Sequence, residues 1–295
     1  MTAFFRSDIA EFLESIYGAC NRRQRLDRDP LAIVSGYGDV ADRGVAGIIC
    51  STLAFGSVDL ILRACGHALE PLGSRPASAL ESMDDDDLWR FWGDFQYRFC
   101  FPSDMQALLR GLRDARRRWG SLEALFLDCD APGKGMAETT GAFVRALRNL
   151  GAVNAAFGLE GESAVAAIGP LGSRPDSFPI RKNLLPDPAD GSACKRLFLF
   201  FRWMVRSDDI DPGGWDSVSP SRLIVPLDVH MVRTCREKLG FLDKMRPSAS
   251  PTLRDALEVT RQFALYSPSD PVKYDFALTR PGIDPRPGDE VFGCF

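Results

Sequence analysis

Apolar residues recur every three or four positions along most of this 295-residue chain, and this spacing limits the folds that it can adopt. Such a spacing places apolar side chains on one face of an α-helix, whereas a half-buried β-strand needs strict alternation of apolar and polar residues. Clear stripes run through residues 9–16, 45–53, 58–69, 105–112, 143–150 and 253–264. We find no convincing pair of strands joined by a tight turn. The sequence therefore predicts an all-α protein.

The length suits one large domain, or two smaller helical lobes around a shared cleft. Hydrophobic residues make up 45% of the chain and charged residues 26%, which is the composition of an ordinary globular protein with a sizeable core. We expect a single domain over residues 1–295, with an N-terminal helix and two lobes near 30–150 and 180–280.

Cysteine and histidine usage argues against a metal site. No two of the eight cysteines lie closer than 15 residues, which excludes a zinc ribbon or a clustered iron–sulfur site. Only two histidines occur, His67 and His230, so we expect neither a metal nor a cofactor. The N-terminus lacks a basic head followed by an apolar run, and no stretch of 18 apolar residues occurs. These features predict a cytoplasmic protein with free thiols and no membrane association.

The charge balance gives no whole-chain signal for nucleic acid, since 36 Lys and Arg face 40 Asp and Glu. Any such site must be local. Residues 191–261 hold twelve Lys and Arg against nine Asp and Glu, a small basic excess. Within this stretch Asp208, Asp209 and Asp211 predict a solvated acidic loop.

Cap residues place two helix starts. Ser103, with Gln106 three positions later, has the capping-box arrangement and predicts a helix that begins there. The run from Asp84 to Asp87 precedes Leu88 and predicts a capped helix start, because acidic groups stabilise the first turn.

The most informative segment is LLPDPADGSACKRLFLF, residues 184–200, a turn-bearing loop that leads into an apolar helix. Lys195 falls in the first turn of that helix, where the positive end of the helix dipole disfavours a cation. An amine that acts as a nucleophile must be neutral, so this position suits such a role. The alternative is an ordinary surface lysine.

Asp228 follows the apolar run of residues 223–227 and directly precedes a helical segment, which is the context of an N-cap. It could do no more than cap that helix. Placed next to a buried lysine, the carboxylate could also relay a proton or stabilise a developing cation. An irregular insert at 206–222 separates Asp228 from the lysine helix, and we expect the two residues to meet in space.

The segment VPLDVHMVRTC, residues 225–235, follows a glycine-containing loop and a lysine at the head of an apolar helix. This arrangement resembles the helix-hairpin-helix DNA glycosylase superfamily, and within it the 8-oxoguanine DNA glycosylases, nearest the archaeal branch. Over most of its length the chain also resembles the uncharacterised bacterial family DUF2400. That resemblance is carried by PADGSACKRLFLFFRWMVR, LIVPLDVHMVR and YSPSDPVKYDFALTRPGI.

The glycosylase resemblance implies a role for individual residues. Lys195 would be the lysine that forms a Schiff base, and Asp228 the catalytic aspartate. Gly191 would be the hairpin glycine, and His230 would contact a phosphate. The hairpin reads LPDPADGSACK instead of Leu-Pro-Gly-x-Gly, and the 33-residue separation of lysine and aspartate is longer than in most members.

The implied function is a base-excision repair glycosylase with AP lyase activity on an oxidised purine, 8-oxoguanine, in duplex DNA. The enzyme would act as a monomer, without a cofactor, on the nucleoid. Candidate DNA contacts are Gly191, Ser192, His230, Arg233, Tyr97 and Arg98, and candidate base-stacking aromatics are Trp203, Trp215 and Phe295. Tyr97 could equally belong to a packed aromatic turn.

Two alternatives stay open: a non-catalytic DNA-binding or scaffold protein, and a nucleic-acid enzyme with another substrate on the same fold.

Overall fold

A computed structural model describes residues 5–152, 180–246, 248–287 and 289–293 of the chain. Within these ranges the regular structure consists of α-helices and short 3-10 helices, with isolated bridges and no β-strand. The predicted all-α class is confirmed. None of the described helices contains an apolar stretch long enough to span a bilayer.

The α-helices follow one another with short connections. In chain order they are α1 (Ser7–Cys20), α2 (Leu31–Ser35), α3 (Val40–Leu53), α4 (Val58–Leu69), α5 (Pro76–Ser82), α6 (Asp85–Trp92), α7 (Pro102–Trp119), α8 (Leu122–Cys129), α9 (Met136–Gly151), α10 (Lys195–Val205), α11 (Val229–Glu237), α12 (Leu253–Phe263), α13 (Asp275–Ile283) and α14 (Glu290–Gly293). Single 3-10 turns lie at Arg23–Arg25, Glu70–Leu72, Pro188–Asp190 and Pro220–Arg222.

Helix α10 lies at the centre of the core. It packs along α3, and its side chains from Phe200 to Met204 are almost completely buried. The sequence indicates this position, because residues 194–206 are apolar on nearly every side of the helix. Helix α10 therefore joins the earlier and later parts of the chain within one core.

The cap predictions have mixed outcomes. Asp84 caps α6 as expected and forms a capping box with Asp87. Helix α7, however, begins at Pro102, ahead of the predicted cap at Ser103, and the carboxylate of Asp104 accepts a hydrogen bond from the Phe101 amide at 2.8 Å. Proline suits the first helical position because its missing N–H would have no partner there.

The two ends of the described chain meet. Helix α1 packs on α13 and α14, and α13 in turn packs on α11. Helix α13 is thereby held beside the start of α11 and close to α10. This arrangement brings residues from three distant parts of the sequence to one cavity.

Candidate active site

Lys195 is the first residue of helix α10, as the sequence predicts. The turn before it is tight: Gly191 has a φ of 81°, a left-handed conformation that favours glycine. Cys194 is also left-handed, and its side chain makes no capping hydrogen bond. The lysine side chain is 36% exposed, so its amine can be reached from solvent.

Asp228 caps helix α11, with Oδ1 accepting a hydrogen bond from the Met231 amide at 2.8 Å. Its other oxygen, Oδ2, lies 3.2 Å from the Lys195 Nζ. The Asp228 side chain is only 10% exposed. The structure thus brings together the two residues that the sequence singled out, across the 206–222 insert that separates their helices.

The pair lies in the wall of a cavity of about 760 Å³. This volume falls in the usual range for small-molecule sites, about 300–1,000 Å³. The wall is made by the segment after α3, the turn before α10, and the helices α10, α11 and α13. Among the lining residues are Phe55, Lys195, Arg196, Asp228, His230, Asp275 and Arg280.

Asp275 is a further carboxyl group in this wall, and the sequence analysis did not single it out. It is the first residue of α13 and is 5% exposed, and its Oδ2 accepts a hydrogen bond from Arg202 Nη1 at 2.5 Å. Burial, with a smaller contribution from Asp228, raises the pKa of Asp275 to about 6. The sequence gives only a weak indication of this burial, because Asp275 stands between two aromatic residues, Tyr274 and Phe276. Both aromatic residues are buried in the structure.

Arg202 of α10 pairs with Asp275, and both Arg202 and Arg206, the residue that follows α10, pair with acids of the 206–222 insert. Arg202 pairs with Asp211 at 2.9 Å, and Arg206 pairs with Asp211 and Asp208. Asp211 is fully buried and Asp208 partly buried, whereas Asp209 is exposed. The prediction of a solvated acidic loop is therefore wrong for Asp208 and Asp211, because two buried arginines hold their carboxylates.

The hairpin turn is fastened to a distant helix start. The Gly191 carbonyl accepts a hydrogen bond from the Leu253 amide at 2.9 Å, and Ser192 forms an isolated bridge with Thr252. Ser192 Oγ accepts from the Cys194 amide at 3.3 Å. Gly191 and Ser192 are both exposed, so the turn can meet a partner. Their predicted DNA contacts stay predictions.

His230 and Arg233 lie on α11, beyond the capping aspartate. His230 lines the cavity and packs against Gly282, where an added Cβ would approach the imidazole Nδ1 to 2.8 Å. The Arg233 side chain is 74% exposed and pairs with Glu237 at 3.3 Å. His230 is thus at the cavity, and Arg233 is on the outer surface.

Tyr97 and Arg98 belong to a tight turn whose ends, Tyr97 and Cys100, exchange two backbone hydrogen bonds at 2.9 and 2.8 Å. Tyr97 is buried, and its hydroxyl donates to the Phe55 carbonyl. Arg98 is exposed with a φ of 52°. An added Cβ on Gly56 would lie 2.8 Å from Arg98 Nη1 and 2.9 Å from the Tyr97 hydroxyl. The turn therefore packs tightly on the cavity rim, with Arg98 as its solvent-facing member.

The stacking aromatics need correction. Trp203 and Trp215 are 0% and 2% exposed and pack within the core. Neither can stack on a base without unfolding part of the core. Phe295, the third candidate, lies outside the described residues.

Comparison with known proteins supplies a family but no activity. The model of the family described as "Protein of unknown function (DUF2400)" matches residues 29–284. No curated protein and no solved structure matches the chain. The match covers every cavity residue named above.

Proposed function

We propose that this chain, which belongs to the DUF2400 family of proteins of unknown function, is a DNA glycosylase with AP lyase activity. The observation that carries the proposal is the 3.2 Å contact of the Lys195 amine with the Asp228 carboxylate in the wall of the cavity. An amine beside a general base, at the edge of a space that holds a small ligand, is the constellation of an activated nucleophile.

The cavity and the residues around it suit a nucleotide base that has been extruded from duplex DNA. An enzyme that acts on a base within duplex DNA must extrude the nucleotide into a pocket. The cavity has that capacity. Arg28 lines its wall, Arg98 is exposed on the turn at its rim, and Arg233 is exposed on the outer surface of α11. The exposed hairpin at Gly191 and Ser192 offers backbone groups to a phosphate.

In the reaction, Asp228 takes a proton from the Lys195 ammonium, and the neutral amine attacks C1′ of the flipped nucleotide. The bond between C1′ and the base breaks, and the base leaves with the electron pair. Opening of the sugar ring then gives an imine between Nζ and C1′. Asp228, which has passed its first proton to the departing base, takes a proton from C2′. The electron pair of that bond forms a double bond between C2′ and C3′, and the C3′–O bond breaks, so the 3′ phosphate leaves and the strand is cut. As that first proton passes to the departing base, the Asp228 carboxylate regains its negative charge and stabilises the cation that develops at the sugar.

Asp275 adds a carboxyl group that can be either neutral or ionised near neutral pH, since its pKa lies at about 6. Neutral, it can donate a hydrogen bond to an acceptor of the base. Ionised, it can accept one from a base N–H. The substrate that we propose is an oxidised purine such as 8-oxoguanine, which carries both kinds of group.

Borohydride trapping tests the proposal. Duplexes that carry 8-oxoguanine or an abasic site are incubated with the protein and reduced, and a covalent adduct is sought. We expect an adduct with the wild type and none with Lys195→Gln. Lys182→Gln is the matched control, because Lys182 lies near the hairpin, is 75% exposed and pairs with Asp190.

An adduct that persists in Lys195→Gln would remove this lysine from the mechanism. No adduct on either duplex, with duplex binding intact, would favour the non-catalytic DNA-binding alternative. In that case a steep loss of affinity with added salt would still identify phosphate contacts.

A further inference from the structure

Arg196, the residue after Lys195, ties the start of α10 to two other segments. Its Nη1 donates to the Thr52 carbonyl at the end of α3 at 2.6 Å, and its Nη2 donates to the Asn183 carbonyl. The planar guanidinium has a forked set of donors and can therefore reach both carbonyls at once. One side chain thus fixes the first turn of α10 to parts of the chain 144 and 13 residues away.

The same guanidinium lies over an aromatic stack at the cavity rim. Its carbon is 5.1 Å from the ring centre of Phe55 and 6.0 Å from that of Phe99. The two rings are stacked at 4.2 Å with an interplanar angle of 13°. Phe99 belongs to the turn that exposes Arg98, so Arg196 connects this turn to the lysine helix.

The start of helix α10 has no capping side chain, so Arg196 is the side chain that ties its first turn to α3. Its N-cap residue, Cys194, makes no side-chain capping bond, and its first turn contains no acidic residue. Uncapped helix ends fray, and Lys195 is the first helical residue. Without a tether the amine would lose its fixed distance to Asp228.

Keeping Arg196 here is costly, which argues that it has a purpose. Burial lowers the pKa of its guanidinium to about 10. Its hydrogen-bond partners are neutral carbonyls, and within the described part of the chain it forms no ion pair. Arg196 is only partly exposed, and a cation that is shielded from water without a carboxylate partner is uncommon, because charge pairing does not offset its desolvation.

We propose that Arg196 is a positioning residue that fixes Lys195 relative to the Phe55–Phe99 stack, so that the amine stays aligned when DNA engages the rim. The catalytic consequence of this role rests on the proposed glycosylase function, whereas the structural tether does not.

Two substitutions and one control test the proposal. Arg196→Lys keeps the positive charge but loses the planar fork, and Arg196→Met loses both. Arg148→Lys is the control: Arg148, on α9, also donates to a backbone carbonyl, that of Leu185, and burial also lowers its pKa, but it does not line the cavity. Each protein is assayed for borohydride trapping at saturating abasic duplex, for duplex affinity, and for hydrogen exchange.

Both Arg196 variants should slow trapping by about tenfold or more, since small misplacements of a reacting group cost that much. Duplex affinity should change by less than about twofold, because only the reacting geometry is disturbed. Hydrogen exchange should rise at residues 194–198 and 52–57 and stay unchanged in α1. Arg148→Lys should trap like the wild type.

Trapping at the wild-type rate in both variants would overturn the proposal, and so would a loss of affinity at an unchanged trapping rate, which would make Arg196 a DNA contact. If the wild type forms no adduct on any duplex, the glycosylase function fails, and hydrogen exchange alone tests the structural role of Arg196. Faster exchange confined to residues 194–198 and 52–57 would then support that role. Unchanged exchange, or faster exchange throughout the chain, would refute it.

Discussion

Asp228 performs two tasks with its two oxygens. Oδ1 caps α11 through the Met231 amide, and Oδ2 faces the Lys195 amine. Asparagine is as good an N-cap as aspartate, but it carries no negative charge and is no general base. The two tasks can therefore be separated by the choice of substitution.

Asp228→Asn should leave the free energy of unfolding nearly unchanged and slow trapping by about 10²- to 10⁴-fold, the usual contribution of a general base. Asp228→Ala should slow trapping as much and also lower the free energy of unfolding by about 1 kcal/mol, because the cap is lost. Urea unfolding and trapping kinetics on both variants measure the two effects. Equal losses of unfolding free energy in the two variants would mean that capping of α11 is not the way in which Asp228 stabilises the protein.

Asp275 makes stability depend on pH. Burial raises its pKa from 3.8 to about 6, so the folded protein holds this proton more tightly than the unfolded chain. Its contribution to stability is complete below pH about 4 and is lost as the pH rises through about 6. A shift of this size corresponds to about 3 kcal/mol at neutral pH.

Asp275→Asn removes this titration. The free energy of unfolding of the variant, relative to the wild type, should therefore increase by about 2–3 kcal/mol between pH about 4 and about 7.5. Urea unfolding of both proteins at the two pH values measures the difference. Parallel pH profiles would show that Asp275 does not titrate in this interval.

At the scale of elements, the turn before α10 depends on the left-handed conformation of Gly191. An added Cβ there would meet no atom within 4 Å, so a substitution is penalised through the backbone alone. Gly18 offers a matched comparison, since it lies inside α1 and also has open space around it.

Gly191→Ala should lower the free energy of unfolding by about 1–2 kcal/mol, and Gly191→Asn by less, because asparagine tolerates this conformation. Gly18→Ala should instead raise it by up to about 1 kcal/mol, because alanine is the better helix former. Chemical denaturation of the three variants measures these changes in the free energy of unfolding. A stabilising Gly191→Ala would contradict the assigned turn.

The helices could be predicted from the sequence because their apolar periodicity is local, and Asp228 could be predicted as a cap because it directly precedes a helical segment. The start of α7 was predicted at Ser103 but lies at Pro102. Pro102 occupies the first helical position, and Asp104 bonds the Phe101 amide, so Ser103 does not cap the helix. The burial of Asp211 could not be predicted, because it depends on pairing with Arg202 of α10 and with Arg206 at the end of that helix, and the local sequence shows neither contact.

The candidate site divides in the same way. Lys195 and Asp228 could be found because each lies at a helix start with a distinctive local sequence. Asp275 and Arg196 could not, since their meaning depends on contacts with residues far away in the chain. A family resemblance points to residues with a distinctive local sequence, such as Lys195 and Asp228. It does not point to residues whose role depends on distant contacts.

At the scale of the whole molecule, Arg202 joins α10, the insert and α13 through Asp211 and Asp275. The arginine and both carboxylates are buried. Removing one member of such a network leaves the remaining charges without compensation, and this costs more than the network gains by forming.

Arg202→Leu should lower the free energy of unfolding by about 3–5 kcal/mol. The control, Arg233→Leu, breaks a pair whose arginine is 74% exposed and should change stability by no more than about 0.5 kcal/mol. Thermal and urea unfolding compare the two. Similar small effects in both would mean that the buried network contributes little.

The position of α13 has a genetic consequence. This helix supplies Asp275, Thr279 and Arg280 to the cavity that also contains Lys195, and it packs against α1. A stop codon anywhere before codon 275 would remove one wall of the cavity and expose the apolar side of the first helix. Null alleles in a selection for lost activity should therefore include nonsense mutations that fall just before the codon for Asp275.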